Sequence, residues 1–324
     1  MKRFIIKLLV LSILILLTID LIGRLDNNLY KKKYIDHNIS RIKAFNKINN
    51  LSKLDLLFIG SSHTYAGINT KLFDSAGYNS YSIGTNTASS SFISLLWKDC
   101  IENSPPPKAI VLDINPASFS NQADDFEGAP IYRYFKRPIS NIDLLFSGII
   151  GFNEFRRIEW HSFNLGVSQF FIKPDSIIIR DSILNMDSKK GFYPSNQLLN
   201  DSIFLNDSVG HIPLNTSPFL IDKEKKYVTL INTILCNNVR VIIHEIPCGK
   251  FTQFFSKSYL KSYNQFWNYL EADKRITVIR AGQNEPEFYD TKLYKDPHHL
   301  NLNGANKYSL WLINKFDKMK CCKN

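Results

Sequence analysis

The sequence predicts an α/β fold, a three-layer sandwich with a central parallel sheet. Three observations carry that expectation. Apolar runs of strand length recur at residues 54–59, 109–114 and 240–246. Helical stretches fall between and after them, at 88–102, 223–235, 259–270 and 303–316. The runs are apolar at consecutive positions, as in strands covered on both faces. Strands that alternate with helices in this way build parallel sheets with a helical layer on each side.

The elements follow in order. Residues 54–59 (Leu-Asp-Leu-Leu-Phe-Ile) form the first strand, and 78–83 a weaker second one that stops at Gly84. Residues 88–102 read as a helix because Phe92, Leu95 and Leu96 recur at helical spacing, and Pro105-Pro106-Pro107 ends it. Residues 109–114 are the third strand, apolar except for Asp113. The rhythm then breaks from about 116 to 222, a stretch rich in Phe, Tyr, Asn and Ser. It reads as a large insertion with helical segments at 142–150 and 153–160 and a polar loop at 201–218. An insertion leaving the third strand's carboxyl end is expected to lie over a site there. The alternation resumes with a helix (223–235), a strand (240–246), an amphipathic helix (259–270), a short strand (276–279) and a last helix (303–316).

The chain has 324 residues, 44% hydrophobic and 21% charged. That is a globular composition, long enough for a sizeable core. Residues 8–19 are uncharged and almost wholly aliphatic, with Lys7 and Asp20 at the edges. The expectation is an uncleaved signal anchor over 1–23, a single transmembrane helix, since about 20 residues suffice for a span and no small-residue cleavage site follows. Residues 24–50 are then a basic juxtamembrane connector, and 51–320 the folded domain.

Net charge is +11, and ten Lys/Arg against three Asp lie in residues 1–50. A basic segment beside an anchor suits anionic lipid headgroups, and no nucleic-acid signature accompanies it. Lys2, Arg3 and Lys7 favour a cytoplasmic N-terminus, whereas Lys31-Lys32-Lys33 pull the other way. The reading adopted is a periplasmic, extracytoplasmic body; a cytosolic one is the alternative. The five cysteines form no disulfide framework. Cys236 and Cys248 flank a strand of roughly 23 Å, too far apart for a bond that needs alpha carbons within about 7 Å.

The chemistry gathers at two ends of the chain. Ser62, in Gly60-Ser61-Ser62-His63, follows the first strand. A hydroxyl placed past a strand, before a helix, becomes a nucleophile when a base lies beside it. Asp296 and His299, in Asp296-Pro297-His298-His299, precede the last helix. A histidine can take the serine proton and an aspartate can orient the imidazole, and such triads are defined by geometry, not order. Ser62, Gly84, Asn115, Pro247 and Asp296 all follow predicted strands, so a parallel sheet brings them to one edge. The bland readings are a loop with an N-cap serine and a solvated His-His turn. Those adjacent histidines are the only metal candidate, and no metal is expected.

His63 is read either as a sugar or phosphate contact or as a residue packing at the site's rim. His244 and Glu245, at the fourth strand's end, read as an acid/base pair or as a structural one. The aromatics Phe126, Tyr132, Tyr134, Phe135 and Trp160 read as sugar-stacking groups or as the insertion's own core.

On these residues the chain resembles the SGNH (GDSL-like) hydrolase superfamily, in its membrane-anchored branch acting on acyl groups of cell-surface polysaccharides. Ser62 matches the first-block nucleophile, with Ser61 where better-known members have Asp. Gly84, in Ser82-Ile83-Gly84-Thr85-Asn86, matches the second-block glycine, a backbone oxyanion donor. Asn115 matches the third-block Asn, a side-chain oxyanion donor; that block normally reads Gly-x-Asn-Asp, and here it reads Asp113-Ile114-Asn115-Pro116. Asp296 and His299 match the fifth-block Asp-x-x-His, extended by Leu300-Asn301 and Gly304. The resemblance covers roughly 54–114 and 223–316. It implies a flavodoxin-like SGNH fold, a Ser62/His299/Asp296 triad, and an oxyanion hole of the Ser62 and Gly84 N–H groups with Asn115. It also implies a serine esterase or O-acyltransferase, handling acetyl groups on an envelope or exopolysaccharide glycan, without a cofactor. Its expected partners are the glycan, membrane lipid at the anchor and a membrane protein that donates the acyl group. The alternative is a non-catalytic, membrane-tethered protein that binds glycan or scaffolds a polysaccharide-synthesis complex.

Overall fold

The computed structural model describes residues 37–48, 50–86, 89–120, 141–146, 190–199, 218–249, 251–281 and 285–319, with isolated positions elsewhere. Five strands, β1 (Leu56–Gly60), β2 (Ser80–Gly84), β3 (Ala109–Asp113), β4 (Arg240–Glu245) and β5 (Thr277–Arg280), make one parallel sheet in the order β2-β1-β3-β4-β5. The order reverses between β1 and β3, and clefts open at the carboxyl ends of the strands at such a switch. In register, Gly60 stands beside Gly84, and Ile59 beside Leu112.

Each strand sends alternate side chains to opposite faces. On one face, Leu57, Ile59, Ile110, Leu112, Val241 and Ile243 pack with Phe92, Tyr227 and Trp267. That layer consists of α1 (His37–Asn46), α4 (Ser90–Asn103), α6 (Ile221–Leu235) and α7 (Lys257–Ala272). On the other face, Leu56, Phe58, Val111 and Ile242 meet Phe73, Tyr308, Leu312 and Phe316. Those come from α3 (Thr70–Ser75) and α8 (Leu302–Lys318). Burial on both faces is why the strands read as unbroken apolar runs. The helices start where their caps dictate. Ser89 accepts from the Phe92 N–H, Ser256 from Tyr259 and Asn301 from Gly304.

The helix expected after the first strand is α2 (Ser62–Gly67); a second short helix, α3, escapes the sequence pattern, and each is six residues long. The basic connector is also more ordered than a tether. Arg41 and Ile42 of α1 are buried, and Ile42 and Phe45 join the core. Arg41 was counted with the lipid-facing charges; instead its guanidinium lies 3.5 Å over the Tyr65 ring.

Of the expected insertion, α5 (Asn141–Phe146) covers part of the segment at 142–150, and most of 121–189 and all of 200–217 lie outside the described residues. Its returning limb is clear. Lys190 O accepts from the Ser82 N–H of edge strand β2 at 3.0 Å, and the Tyr193 N–H donates to Tyr65 O at 2.8 Å. Phe135 is core, edge-on to Phe92; Phe126, Tyr132, Tyr134 and Trp160 lie outside the described residues. Cys100, Cys236 and Cys248 are free.

Most of the expected anchor, 1–23, also lies outside the described residues. Phe4, Val10, Leu11 and Leu14 are helical there, with exposed side chains. Among the described residues no helix is long and apolar enough to cross a membrane.

Candidate active site

Ser62 is the first residue of α2, directly after β1. Ser61 caps that helix, its hydroxyl accepting from the His63 N–H and its carbonyl from the Thr64 N–H at 3.1 Å. The turn is tight because Gly60 has no side chain. A Cβ there would stand 2.3 Å from Thr64 Oγ1 and 2.5 Å from Asp113 Cβ. The glycine therefore serves close approach of β3 and α2 to the end of β1, more than backbone freedom.

The other half of the site comes from the loop before α8. An antiparallel bridge, Tyr294 to Leu300, closes that loop, and the Lys295 N–H donates to His299 O at 3.0 Å. Asn301 bolts it down from below, donating to Lys292 O at 2.7 Å and Tyr294 O at 3.2 Å. Inside the loop Asp296 Oδ1 accepts from the N–H groups of His298 (3.1 Å) and His299 (2.8 Å). Asp296 Oδ2 lies 2.8 Å from His299 Nδ1, and His299 Nε2 lies 2.7 Å from Ser62 Oγ.

The tautomer follows from the donors available. An ionised carboxylate can only accept, so His299 Nδ1 carries the proton and Nε2 presents its lone pair to Ser62. Burial pushes the Asp296 carboxyl up, but the hydrogen bond from His299 and the two neighbouring imidazoles outweigh it and hold the group well below the usual carboxylate range. Asp296, His298 and His299 also bring three ligand atoms within 4.8 Å of one another. Both Asp296 oxygens are already engaged by His298 and His299, as an imidazole-orienting carboxylate requires.

Gly84 ends β2 level with Gly60. Asn115 is buried just past β3, and its backbone N–H is taken by the Ser118 hydroxyl at 3.2 Å. Its side-chain amide points under the serine turn, donating to Ser61 Oγ at 3.0 Å. Ser61 Oγ in turn donates to Asp113 Oδ2 at 3.0 Å, and Thr64 Oγ1 donates to the same oxygen at 3.3 Å. Burial pushes the Asp113 carboxyl up to about 6, against hydrogen bonds from Ser61, Asn115 and Thr64.

No family model and no curated protein matches this chain. Solved structures do. A GDSL-like lipase from Bacteroides thetaiotaomicron is similar over 87% of this chain and 99% of its own, at 10% identity and a TM-score of 0.41. A provisionally named acylhydrolase from Bacteroides fragilis is similar over 82% of this chain and 86% of its own, at 13% identity and a TM-score of 0.39. Neither assigns a role to a residue here.

His63 is buried, its ring stacked on His299 at 5.0 Å between centroids and 5.4 Å from His298. Its Nδ1 lies 3.1 Å from Ser61 Oγ. Burial first, then the adjacent His299 and His298, keep its pKa well below the ordinary value, so it is neutral. His63 thus packs within the site and not at its rim. His244 and Glu245 make their hydrogen bonds elsewhere. His244 Nδ1 meets the Tyr308 hydroxyl at 2.9 Å, and Glu245 accepts from Tyr263 and Arg280 in a buried cluster on the sheet. Two participants lacked a role in the sequence reading, Asp113 and Ser61. The available signal was a lone carboxylate in an otherwise apolar strand.

Proposed function

We propose that this chain is a serine esterase or O-acyltransferase that works through Ser62, His299 and Asp296. The observation that carries the reading is the pair of contacts at His299: Nε2 on the Ser62 hydroxyl at 2.7 Å and Nδ1 on Asp296 at 2.8 Å. That arrangement meets the requirement for a base within hydrogen-bond reach of its proton and oriented by a third group.

Ser62 Oγ attacks the ester carbonyl as its proton passes to His299 Nε2. The carbonyl oxygen, now an oxyanion, is received by the N–H groups of Ser62 and Gly84 and by the Asn115 amide. Collapse breaks the bond to the leaving alcohol, which takes the proton from His299. The acyl-enzyme then gives its group to water or to a sugar hydroxyl, with His299 again removing the proton. Asp296 stays ionised and stabilises the imidazolium formed in each half-reaction.

The substrate we propose is an acetylated envelope or exopolysaccharide glycan, reached from a membrane tether. The support is the apolar stretch at residues 8–19 with its basic flank. The test is Ser62→Ala. It should abolish turnover of an aryl acetate and labelling by an organophosphonate, with an unchanged melting curve. Mass spectrometry of envelope glycans from cells carrying either form should then show altered acetylation. Turnover retained by the alanine variant would refute the reading.

A further inference from the structure

The buried carboxylate of Asp113 fixes the direction of a hydrogen-bond chain that ends at the oxyanion donor. Asp113 is the last residue of β3 and is 1% exposed. Its Oδ2 faces the hydroxyls of Ser61 and Thr64, both from the turn that carries Ser62. A carboxylate accepts and never donates when ionised, so the single Ser61 proton points at Asp113. The lone pairs of Ser61 Oγ are thereby turned toward the capping His63 N–H at 3.3 Å and Asn115 Nδ2 at 3.0 Å.

A choice that is otherwise free becomes determined: the Asn115 amide must present its nitrogen, not its oxygen, to Ser61. At 3.5 Å the Asn115 Nδ2 to Asp113 Oδ2 contact is at the outer limit of a hydrogen bond and does not commit the second Asn115 N–H. Asp113 Oδ1 is buried and makes no hydrogen bond among the described residues, so one oxygen of this group does all the ordering. A neutral hydroxyl or an apolar side chain at 113 would leave Ser61 free to rotate its proton, and Asn115 free to turn its amide over.

From this geometry we propose that Asp113 is a positioning residue: through Ser61 it orients the Asn115 amide for the oxyanion and holds the turn that presents Ser62. This rests on the esterase reading above. It assigns a role to Ser61 and Asp113, two of the three residues at which the chain departs from the pattern it resembles.

The test is a set of variants assayed on an aryl acetate with the full chain. Asp113→Ala removes the acceptor and should lower kcat at least 30-fold, with KM within twofold of wild type. Asp113→Asn keeps one acceptor oxygen in the position of Oδ2 and should recover kcat to within about threefold. Ser61→Ala should cost as much as Asp113→Ala, and the double variant no more than either alone, because both cut one chain. Circular dichroism melts control for folding. Should Asp113→Ala fail to fold, Ser61→Ala, which removes no packed carbon, must still lower kcat at least tenfold at constant KM. A kcat within twofold of wild type for Asp113→Ala overturns the proposal. So does an equal loss in the Ala and Asn variants, or full additivity in the double variant. Absence of Ser62-dependent turnover in the wild type refutes the esterase reading and takes this proposal with it. Normal wild-type turnover with indifferent Asp113 variants removes this proposal alone.

Discussion

His299 Nε2 reaches the Ser62 hydroxyl at 2.7 Å across 237 residues of chain, and one aspartate three residues upstream sets its protonation. Asp296→Asn tests that dependence. The amide oxygen of the new side chain would stay on the backbone N–H groups of His298 and His299, where Oδ1 now sits. Its NH2 group would then face His299 Nδ1 and force that nitrogen to accept. The proton moves to Nε2, which can no longer take one from Ser62. We expect kcat to fall on the order of 10⁴-fold with little change in KM or melting temperature. Steady-state kinetics on an aryl acetate will check it.

On the proposed mechanism the Asn115 amide donates to the developing oxyanion. Asn115→Ala should lower kcat about 10²–10³-fold, close to 3 kcal/mol of barrier. KM should hold, because the lost bond forms only as charge develops on the oxygen. Organophosphonate labelling of Ser62 should slow in parallel, since the phosphonyl oxygen uses the same donors. A variant that loses KM and keeps kcat would place Asn115 in ground-state binding instead.

The sheet was legible in the sequence because burial on both faces leaves an unbroken apolar run for each strand. The meeting of Ser62 with His299 and Asp296 was legible too, since Ser62 and Asp296/His299 both border regular elements whose ends a parallel sheet collects. The network under Ser62 was not. Ser61 and Asp113 lie 52 residues apart and meet only because β1 and β3 are neighbours in register, a pairing that no local pattern encodes. The six-residue helix α3 escaped for a different reason: it is too short for a hydrophobic period to emerge. Arg41 misled by its charge. Surrounded by other basic residues it looked solvent- or lipid-facing, yet its long side chain is buried against Tyr65.

Gly191 should be the least replaceable residue of the insertion's returning limb. Its φ is +85°, a region L-residues rarely adopt, and a Cβ would fall 1.7 Å from Ser82 O. Gly191→Ala therefore meets a backbone penalty of about 1–2 kcal/mol and displaces the limb from β2. We expect a lower urea midpoint and weaker turnover together, because Tyr193, two residues on, is tied to Tyr65 beside Ser62. Urea unfolding monitored by tryptophan fluorescence will give the first quantity.

Acid should destabilise the fold through His244, a fully buried imidazole that stands beside Asp113 in the sheet register. Burial lowers its pKa from 6.5 to about 3. Between those values the unfolded chain binds a proton that the folded chain refuses, so stability is complete above pH 6.5 and is lost as pH falls toward 3. The slope for this one group is about 1.4 kcal/mol per pH unit. Asp113 works in the opposite sense below pH 6, where the folded chain takes up its proton first, so the whole-protein curve mixes signs. The clean measurement is a difference. His244→Phe keeps the ring that packs against Phe58 and removes the titration, at the constant cost of a partner for the Tyr308 hydroxyl. The stability of wild type minus that of the variant should be flat above pH 6.5 and fall by about 1.4 kcal/mol for each unit below it. A difference that stays flat from pH 7 to pH 4.5 would mean that His244 is charged in the folded protein.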